Sequence, residues 1–183
     1  REYKSWAGIK GSMKKKPSFS QNLRYFFRYQ IGHMYLRYFM WNFAGRQNDI
    51  QGHGSILKGE WLSGIPFLDE WRLGPQDNLP EAMANNSGRN HFYLLPLLLG
   101  LIGLYFHYQK DKDNAWVVTL LFLFTGLAII VYLNQYPLQP RERDYAFVGS
   151  FYAFAIWIGL GVMAITEKLR NYAPHHVTAI GVT

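Results

Sequence analysis

The four consecutive charged residues Arg141, Glu142, Arg143 and Asp144 stand between two long apolar runs, where charges need a structural or a functional reason. An arginine guanidinium is planar and always charged, and its fork of N–H donors can bind a phosphate or a carboxylate bidentately. A neighbouring carboxylate can orient such an arginine or carry a proton. Two interpretations fit: the charges end two membrane helices at the bilayer surface, or they form a site for an anionic group there.

The spacing within this segment favours convergence of its two arginines. Pro137 and Pro140 restrict the backbone just before the charges. In an extended segment alternate residues point the same way, so we expect Arg141 and Arg143 to bind one anion. The acidic residues that alternate with them would then face protein partners, of which Arg46 is one candidate.

A second polar segment, residues 45–54, has the sequence GRQNDIQGHG. Glycine at this density can bring backbone close to a ligand, although the spacing is not that of a phosphate-binding P-loop. A polar turn after a helix explains the pattern equally well. His53 is a lone histidine and does not indicate a metal site. The chain has no cysteine, which excludes disulfides and thiolate metal sites.

The chain has 183 residues and a net charge of +7, and its apolar residues concentrate in the second half. Residues 90–109 contain no Asp, Glu, Lys or Arg, and an α-helix of that length spans about 30 Å, the thickness of the hydrocarbon core. We predict an all-α integral membrane protein with three transmembrane helices, over 90–109, 114–133 and 145–166, within a helical region of 90–176. Residues 177–183 would open a fourth span.

The first half of the chain is polar, basic and aromatic. Residues 1–19 are predicted to be a basic linker, either solvated or attracted to the anionic headgroups of membrane lipid. Interleaved basic and aromatic residues also occur in nucleic-acid-binding proteins, but the membrane helices explain the aromatic residues better, and we expect no nucleic-acid partner. Residues 45–89 are predicted to be a loop region, because prolines and glycines keep it in short pieces.

Residues 20–44 fit one amphipathic helix, with Ser20 as a candidate N-cap. Arg24, Arg28 and Arg37 punctuate an aromatic surface, which suits a helix lying in the membrane interface with its arginines at headgroup level. A short span with Arg37 inside is the alternative. The interfacial placement is favoured because three arginines in hydrocarbon would be costly.

The alternation of spans sets which loops share a membrane face. Basic residues flank both sides, with Lys110, Lys112, Lys168 and Arg170 on one side and Arg89, Arg141 and Arg143 on the other. The positive-inside rule therefore places the segment 141–144 and the loop region 45–89 on the non-cytoplasmic side, although the basic segment 1–44 favours the opposite orientation. In either orientation the segments 45–54 and 141–144 share one face if nothing between residues 45 and 90 crosses the membrane, so they could form one site.

Two long stretches carry a family resemblance. The first is YLRYFMWNFAGRQNDIQG over residues 35–52. The second is NQ at 134–135 followed by QPRERDY over 139–145 and VGSFYA over 148–153. Both resemble a bacterial family of large multi-spanning proteins related to the transmembrane protein O-mannosyltransferases, and the resemblance covers nearly the whole chain.

The resemblance implies a type C glycosyltransferase fold in the bacterial inner membrane. Such enzymes take a sugar from a polyprenyl-phosphate donor and transfer it to a protein or glycan acceptor on the non-cytoplasmic face, without a further cofactor. Their catalytic acid lies in a first external loop. The chain begins at Arg1 and enters a new apolar stretch near its end, so we expect an internal fragment that is inactive alone. The catalytic residue stays unassigned, with Asp49 and Asp144 as local candidates.

A glycosyltransferase would give roles to the remaining polar residues. Arg141, Arg143 and Arg46 would bind the donor phosphate, and Tyr145 or the loop around Asn48 would bind sugar hydroxyls. The sequence shows no cluster of metal ligands, so we expect a reaction without a metal. Two other functions stay open. One is a non-catalytic scaffold that packs against membrane partner subunits. The other is a transporter of an anionic lipid or sugar, which is disfavoured because the predicted spans contain few polar groups.

Overall fold

The computed structural model describes residues 2–10, 16–52, 54–137 and 143–172, and Arg141, Glu142, His53 and the stretch 177–183 lie outside them. The described part is mostly helical, which confirms the predicted all-α class. Its elements are α1 (Glu2–Ala7), α2 (Phe19–Tyr25), a π-helical stretch (Phe26–Leu36), α3 (Arg37–Phe43), β1 (Gly45–Arg46), α4 (Pro66–Leu73), α5 (Glu81–Ala84), β2 (Asn90–His91), α6 (Leu95–Lys110), α7 (Lys112–Leu123), a second π-helical stretch (Phe124–Ala128), α8 (Ile129–Leu133), a 3₁₀ turn (Asp144–Phe147) and α9 (Val148–Tyr172).

The elements α2, Phe26–Leu36 and α3 follow one another without a break, and we call them the 19–43 helix. The cap is Ser18 rather than Ser20, so the predicted N-cap was wrong. The reason is Gln21, which closes a capping box: its backbone N–H donates to Ser18 Oγ at 3.4 Å, and Ser18 N–H donates to Gln21 Oε1 at 2.9 Å. Ser20 has no equivalent partner three residues later.

The arginines of the 19–43 helix differ in their exposure to solvent. Arg24 and Arg28 are exposed, whereas Arg37 is 7% exposed. Arg37 Nε donates to the His33 carbonyl at 3.0 Å, and Nη1 donates to the Gly59 carbonyl. Burial of this charge is offset by bonds to backbone carbonyls inside the protein. Burial inside the protein does not fix the depth of Arg37 in a membrane, so the headgroup level of the arginines and the interfacial placement of the helix both stay predictions.

The apolar half forms an up-down-up bundle of three helices: α6, the helix Lys112–Leu133 and α9. The first two are antiparallel, and Tyr108 and Thr119 share a hydrogen bond of 2.9 Å near the turn. The first and third are parallel, since Gly100 lies against Phe154 at one end and Lys110 pairs with Glu167 at 2.6 Å at the other.

Glycines permit the close approach of α6 and α9. A Cβ on Gly103 would meet the carbonyl oxygen of Trp157, and one on Gly161 would meet the carbonyl oxygen of Leu99. Gly159 on the same helix faces open space. Small residues therefore hold this pair together, as in many membrane helix pairs, and Gly159 takes no part in the contact.

Within the described residues, two helices are long and apolar enough to cross a membrane by length and composition: Lys112–Leu133, with 22 residues, and Tyr145–Arg170, with 26. They coincide with the predicted spans over 114–133 and 145–166. The helix predicted from residue 90 begins instead at Leu95, because Asn90–His91 is a strand and Tyr93 and Leu94 have positive φ angles of 52° and 59°. That helix, α6, has 16 residues, or about 24 Å.

Candidate functional site

The described parts of the segment 45–54 and the residues that flank 138–142 lie at the same end of the bundle. β1 pairs antiparallel with β2, with Gly45 opposite His91, and β2 leads directly into α6. Because α6 and α9 are parallel, the start of α6, the end of the helix Lys112–Leu133 and the start of α9 share this end. The prediction that both loops lie on one membrane face requires this arrangement of the described helices and stays a prediction.

Arg46 is half-buried in an aromatic setting. Its guanidinium carbon lies 4.1 Å from the centroid of the Trp41 ring and 5.9 Å from that of Phe92. Its Nε is buried and has no hydrogen-bond partner among the described residues. Stacking on a ring face leaves the N–H edge of a guanidinium directed away from the ring, where it can bind an anion.

Asn48 is a structural hub of the loop that folds back on α3. It is 2% exposed, and its Nδ2 donates to the Leu57 carbonyl at 3.0 Å. Its Oδ1 accepts from the backbone N–H groups of Gly59, at 2.7 Å, and Ile50, at 3.2 Å. These bonds favour the structural interpretation of Asn48 over the predicted contact with sugar.

Three other predicted site residues lie at the protein surface. Asp49 and Arg143 are exposed, and Tyr145 is 65% exposed. Arg143 directly precedes the turn Asp144–Phe147, and Arg141 lies outside the described residues. Arg46 and Arg143 share the end of the bundle but come from separate elements and do not contact each other within the described part of the chain.

A cleft that the sequence did not predict lies between α1, the 19–43 helix and residues 134–136, with a volume of about 410 Å³. Two hydrogen bonds converge on the Gln135 carbonyl, from the Tyr25 hydroxyl at 2.8 Å and from Gln30 Nε2 at 3.0 Å. Gln30 Nε2 also donates to Asn134 Oδ1 at 2.9 Å. The cleft is lined by polar and aromatic residues that include Tyr3, Asn22, Gln30, Asn134, Gln135 and Tyr136.

The side-chain amide of Gln135 is the unusual group in this cleft. Gln135 is 5% exposed, and neither Nε2 nor Oε1 has a hydrogen-bond partner among the described residues. Burial, followed by the nearby phenols of Tyr29 and Tyr3, raises the pKa of the Tyr25 hydroxyl. Tyr25 therefore keeps its hydroxyl proton at physiological pH and donates a hydrogen bond to the Gln135 carbonyl.

Part of this cleft had a signal in the sequence. Asn134 and Gln135 are two polar residues directly after an apolar run, and they open the second stretch of the family resemblance. Asn134 adopts a left-handed conformation with φ 41°, which Asn tolerates better than most residues, and ends the helix there. The contact with Gln30 had no signal, because it joins residues that are 105 positions apart.

The described residues contain no group of three or more His, Asp or Glu side chains placed to hold a metal ion. Comparisons of the chain with protein-family models, with curated proteins and with solved structures each found no match.

Proposed function

We propose that this chain is part of a membrane glycosyltransferase that takes a sugar from a polyprenyl-phosphate donor and transfers it to a protein or glycan acceptor on the non-cytoplasmic face of a bacterial inner membrane. One observation carries the proposal. One end of the bundle, where the helix Lys112–Leu133 stops and the helix Tyr145–Arg170 starts, carries three features together: exposed Arg143, half-buried Arg46 and a neutral polar cleft. An anionic lipid phosphate would lie at that depth.

The membrane placement includes α6 as a third span. This helix packs in parallel against α9 and antiparallel to the helix Lys112–Leu133, so all three share one depth. Large apolar side chains remain exposed on the second helix, among them Phe124, Val131 and Trp116. Lipid contact accounts for such a surface, since soluble proteins rarely expose large contiguous apolar patches.

The arginines supply the chemistry that this reaction needs. When the bond between sugar and phosphate breaks, negative charge builds on the departing phosphate, and a positioned guanidinium stabilises that charge. Arg143 and, two residues before it, Arg141 would bind the phosphate bidentately. Arg46 would approach from the other loop, with its ring contacts limiting its motion.

The test uses the full-length protein in lipid nanodiscs, with single Arg141→Ala, Arg143→Ala and Arg46→Ala substitutions. Binding of a polyprenyl phosphate and transfer of the sugar should each fall about ten- to a hundredfold, since a charge-assisted contact contributes roughly 1.5–3 kcal/mol. Arg143→Lys should also be impaired, because lysine keeps the charge but loses the fork.

Arg170→Ala is the matched control, because Arg170 is an exposed arginine at the far end of α9. It should leave lipid binding unchanged. Normal lipid binding and sugar transfer in well-folded Arg141→Ala and Arg143→Ala proteins would contradict the phosphate role and leave the charged segment as a helix stop.

A scaffold function is the second candidate, and Gly159 is the observation that favours it. This glycine faces open space on α9, where a partner helix could approach closely. Gly159→Leu should preserve the bundle but release a partner subunit, whereas Gly161→Leu should disrupt the bundle itself by meeting the Leu99 carbonyl. Loss of a co-purifying subunit in Gly159→Leu, with sugar transfer absent from the wild type, would favour the scaffold.

A further inference from the structure

We infer that the cleft beside Gln135 binds an uncharged pyranose ring, the sugar of the lipid-linked donor, and this assignment rests on the proposed function. The cleft measures about 410 Å³, which is within the usual size of small-molecule sites. None of the described residues that line it carries a formal charge at neutral pH. The lining therefore suits hydroxyl groups better than a phosphate.

Amide side chains fit this ligand chemistry. Each Asn or Gln offers two N–H donors and a carbonyl acceptor, so one amide can bond to two neighbouring hydroxyls of a sugar. Gln30 Nε2 donates to both Asn134 Oδ1 and the Gln135 carbonyl, which holds the Gln30 and Asn134 side chains in place. Exposed Tyr136, at the mouth of the cleft, offers a ring face for the apolar side of a pyranose.

The unpaired amide of Gln135 points to a ligand rather than to a purely structural role. A buried polar group without a partner destabilises a fold, and most native proteins avoid it. Here both amide atoms of a side chain that is 5% exposed lack a partner among the described residues, while its backbone carbonyl accepts two bonds. Gln135 is among the residues that line the cleft, so its amide has unused hydrogen-bonding capacity for a sugar hydroxyl there.

The cleft also lies close to the arginine that would bind phosphate. Phe147 and Gln135 line the same small cavity of about 10 Å³, together with Gln30. Arg143 directly precedes the 3₁₀ turn that ends at Phe147, and four residues of 3₁₀-helix rise about 8 Å. A phosphate on Arg143 and a sugar beside Gln135 are thus within the reach of one donor headgroup.

The test compares two lipids on the full-length protein in nanodiscs: bare polyprenyl phosphate, and the same lipid carrying mannose, glucose or galactose. The wild type should bind one glycosylated lipid more tightly than the bare lipid. Gln135→Leu should reduce that preference about five- to tenfold and leave binding of the bare lipid unchanged, because only the sugar contact is lost. Arg143→Ala should weaken the binding of both lipids to the same extent.

Gln109→Leu is the matched control, since Gln109 is an exposed amide at the opposite end of α6. A well-folded Gln135→Leu protein that keeps the full preference for the glycosylated lipid would overturn the sugar assignment. Water in the small cavity would then form the hydrogen bonds of the amide. Failure of the wild type to bind either lipid would overturn the proposed function and this assignment together. Equal binding of both lipids, with binding of a free disaccharide that depends on Gln135, would assign the cleft to the acceptor and overturn the donor assignment.

Discussion

Asn48 and Gln135 are buried amide side chains at the same end of the bundle, and their surroundings are opposite. Asn48 makes three hydrogen bonds to the backbone of its own loop, whereas the Gln135 amide makes none with the described residues. The Asn48 side chain thus organises its own loop and has no hydrogen-bonding capacity that calls for a ligand. In the cleft, the unpaired amide of Gln135 lowers the stability of the fold but leaves two atoms able to bond to a ligand. Paired and unpaired buried amides thus distinguish a structural polar side chain from a candidate binding one.

The largest effect on stability is expected for Asn48→Ala. The substitution leaves the Leu57 carbonyl and the Gly59 and Ile50 N–H groups without their partner. Each unpaired backbone group costs about 1 kcal/mol or more, so the free energy of unfolding should decrease by roughly 3 kcal/mol. Denaturant unfolding of the purified full-length protein, followed by tryptophan fluorescence, would measure it.

Asn85→Ala is the control for that comparison, because Asn85 is an exposed residue at the end of α5. Its effect should stay within about 0.5 kcal/mol. Equal effects of the two substitutions would show that Asn48 does not organise the loop.

A change of opposite sign is expected for Gln135→Leu in the absence of ligand. Leucine has a similar size and removes two buried polar atoms that have no partner in the described structure. The free energy of unfolding should increase by about 1 kcal/mol. The same unfolding assay would measure it, and a loss of stability comparable with that of Asn48→Ala would mean that the amide is satisfied in the folded protein.

A smaller loss is expected for Tyr25→Phe, which removes the hydroxyl that donates to the Gln135 carbonyl at 2.8 Å. A neutral hydrogen bond contributes about 1 kcal/mol, and the ring contacts with Tyr29 and Tyr3 are kept. Hydrogen exchange at residues 134–136 would show faster opening in the variant. Unchanged exchange there would mean that Gln30 alone holds the segment.

The smallest effect concerns alkaline pH. Burial raises the pKa of Tyr25 above its ordinary value near 10, so the folded state holds this proton more tightly than the unfolded state. The contribution to stability is complete below about pH 10 and decreases as the pH rises beyond it. Between about pH 8 and pH 10.5, the free energy of unfolding should decrease less steeply with pH in Tyr25→Phe than in the wild type. Parallel curves would remove Tyr25 as a source of the pH dependence.

The difference between the two regions also marks how far the sequence could lead. Apolar length predicted helices over 114–133 and 145–166, and the structure has them over 112–133 and 145–170. The pattern of arginine and aromatic residues predicted a helix over 20–44, and the structure has it over 19–43. These are local properties. The start of α6 was missed because β2 pairs with β1, some 45 residues earlier in the chain.

The candidate site was less accessible to sequence reasoning for the same reason. Polarity and glycine content singled out Asn48, but only the fold shows that its side chain is occupied by backbone groups. The reverse holds for Gln135, whose importance depends on distant Tyr25 and Gln30. Side-chain type identified which residues can form hydrogen bonds, whereas long-range packing decides which of them have capacity left.

The π-helical stretch Phe26–Leu36 sets the rotational register between two halves of one helix. Before it, Tyr25 lies against Gln135 and α1, and near its end Tyr35 bonds to Ser150 at 2.9 Å. Deleting one residue between them would turn the preceding half by roughly 100° about the helix axis. Tyr25 would leave the cleft while the helix itself persisted. The number of residues in this stretch is therefore under tighter constraint than their identity, and insertions or deletions should be tolerated less than substitutions.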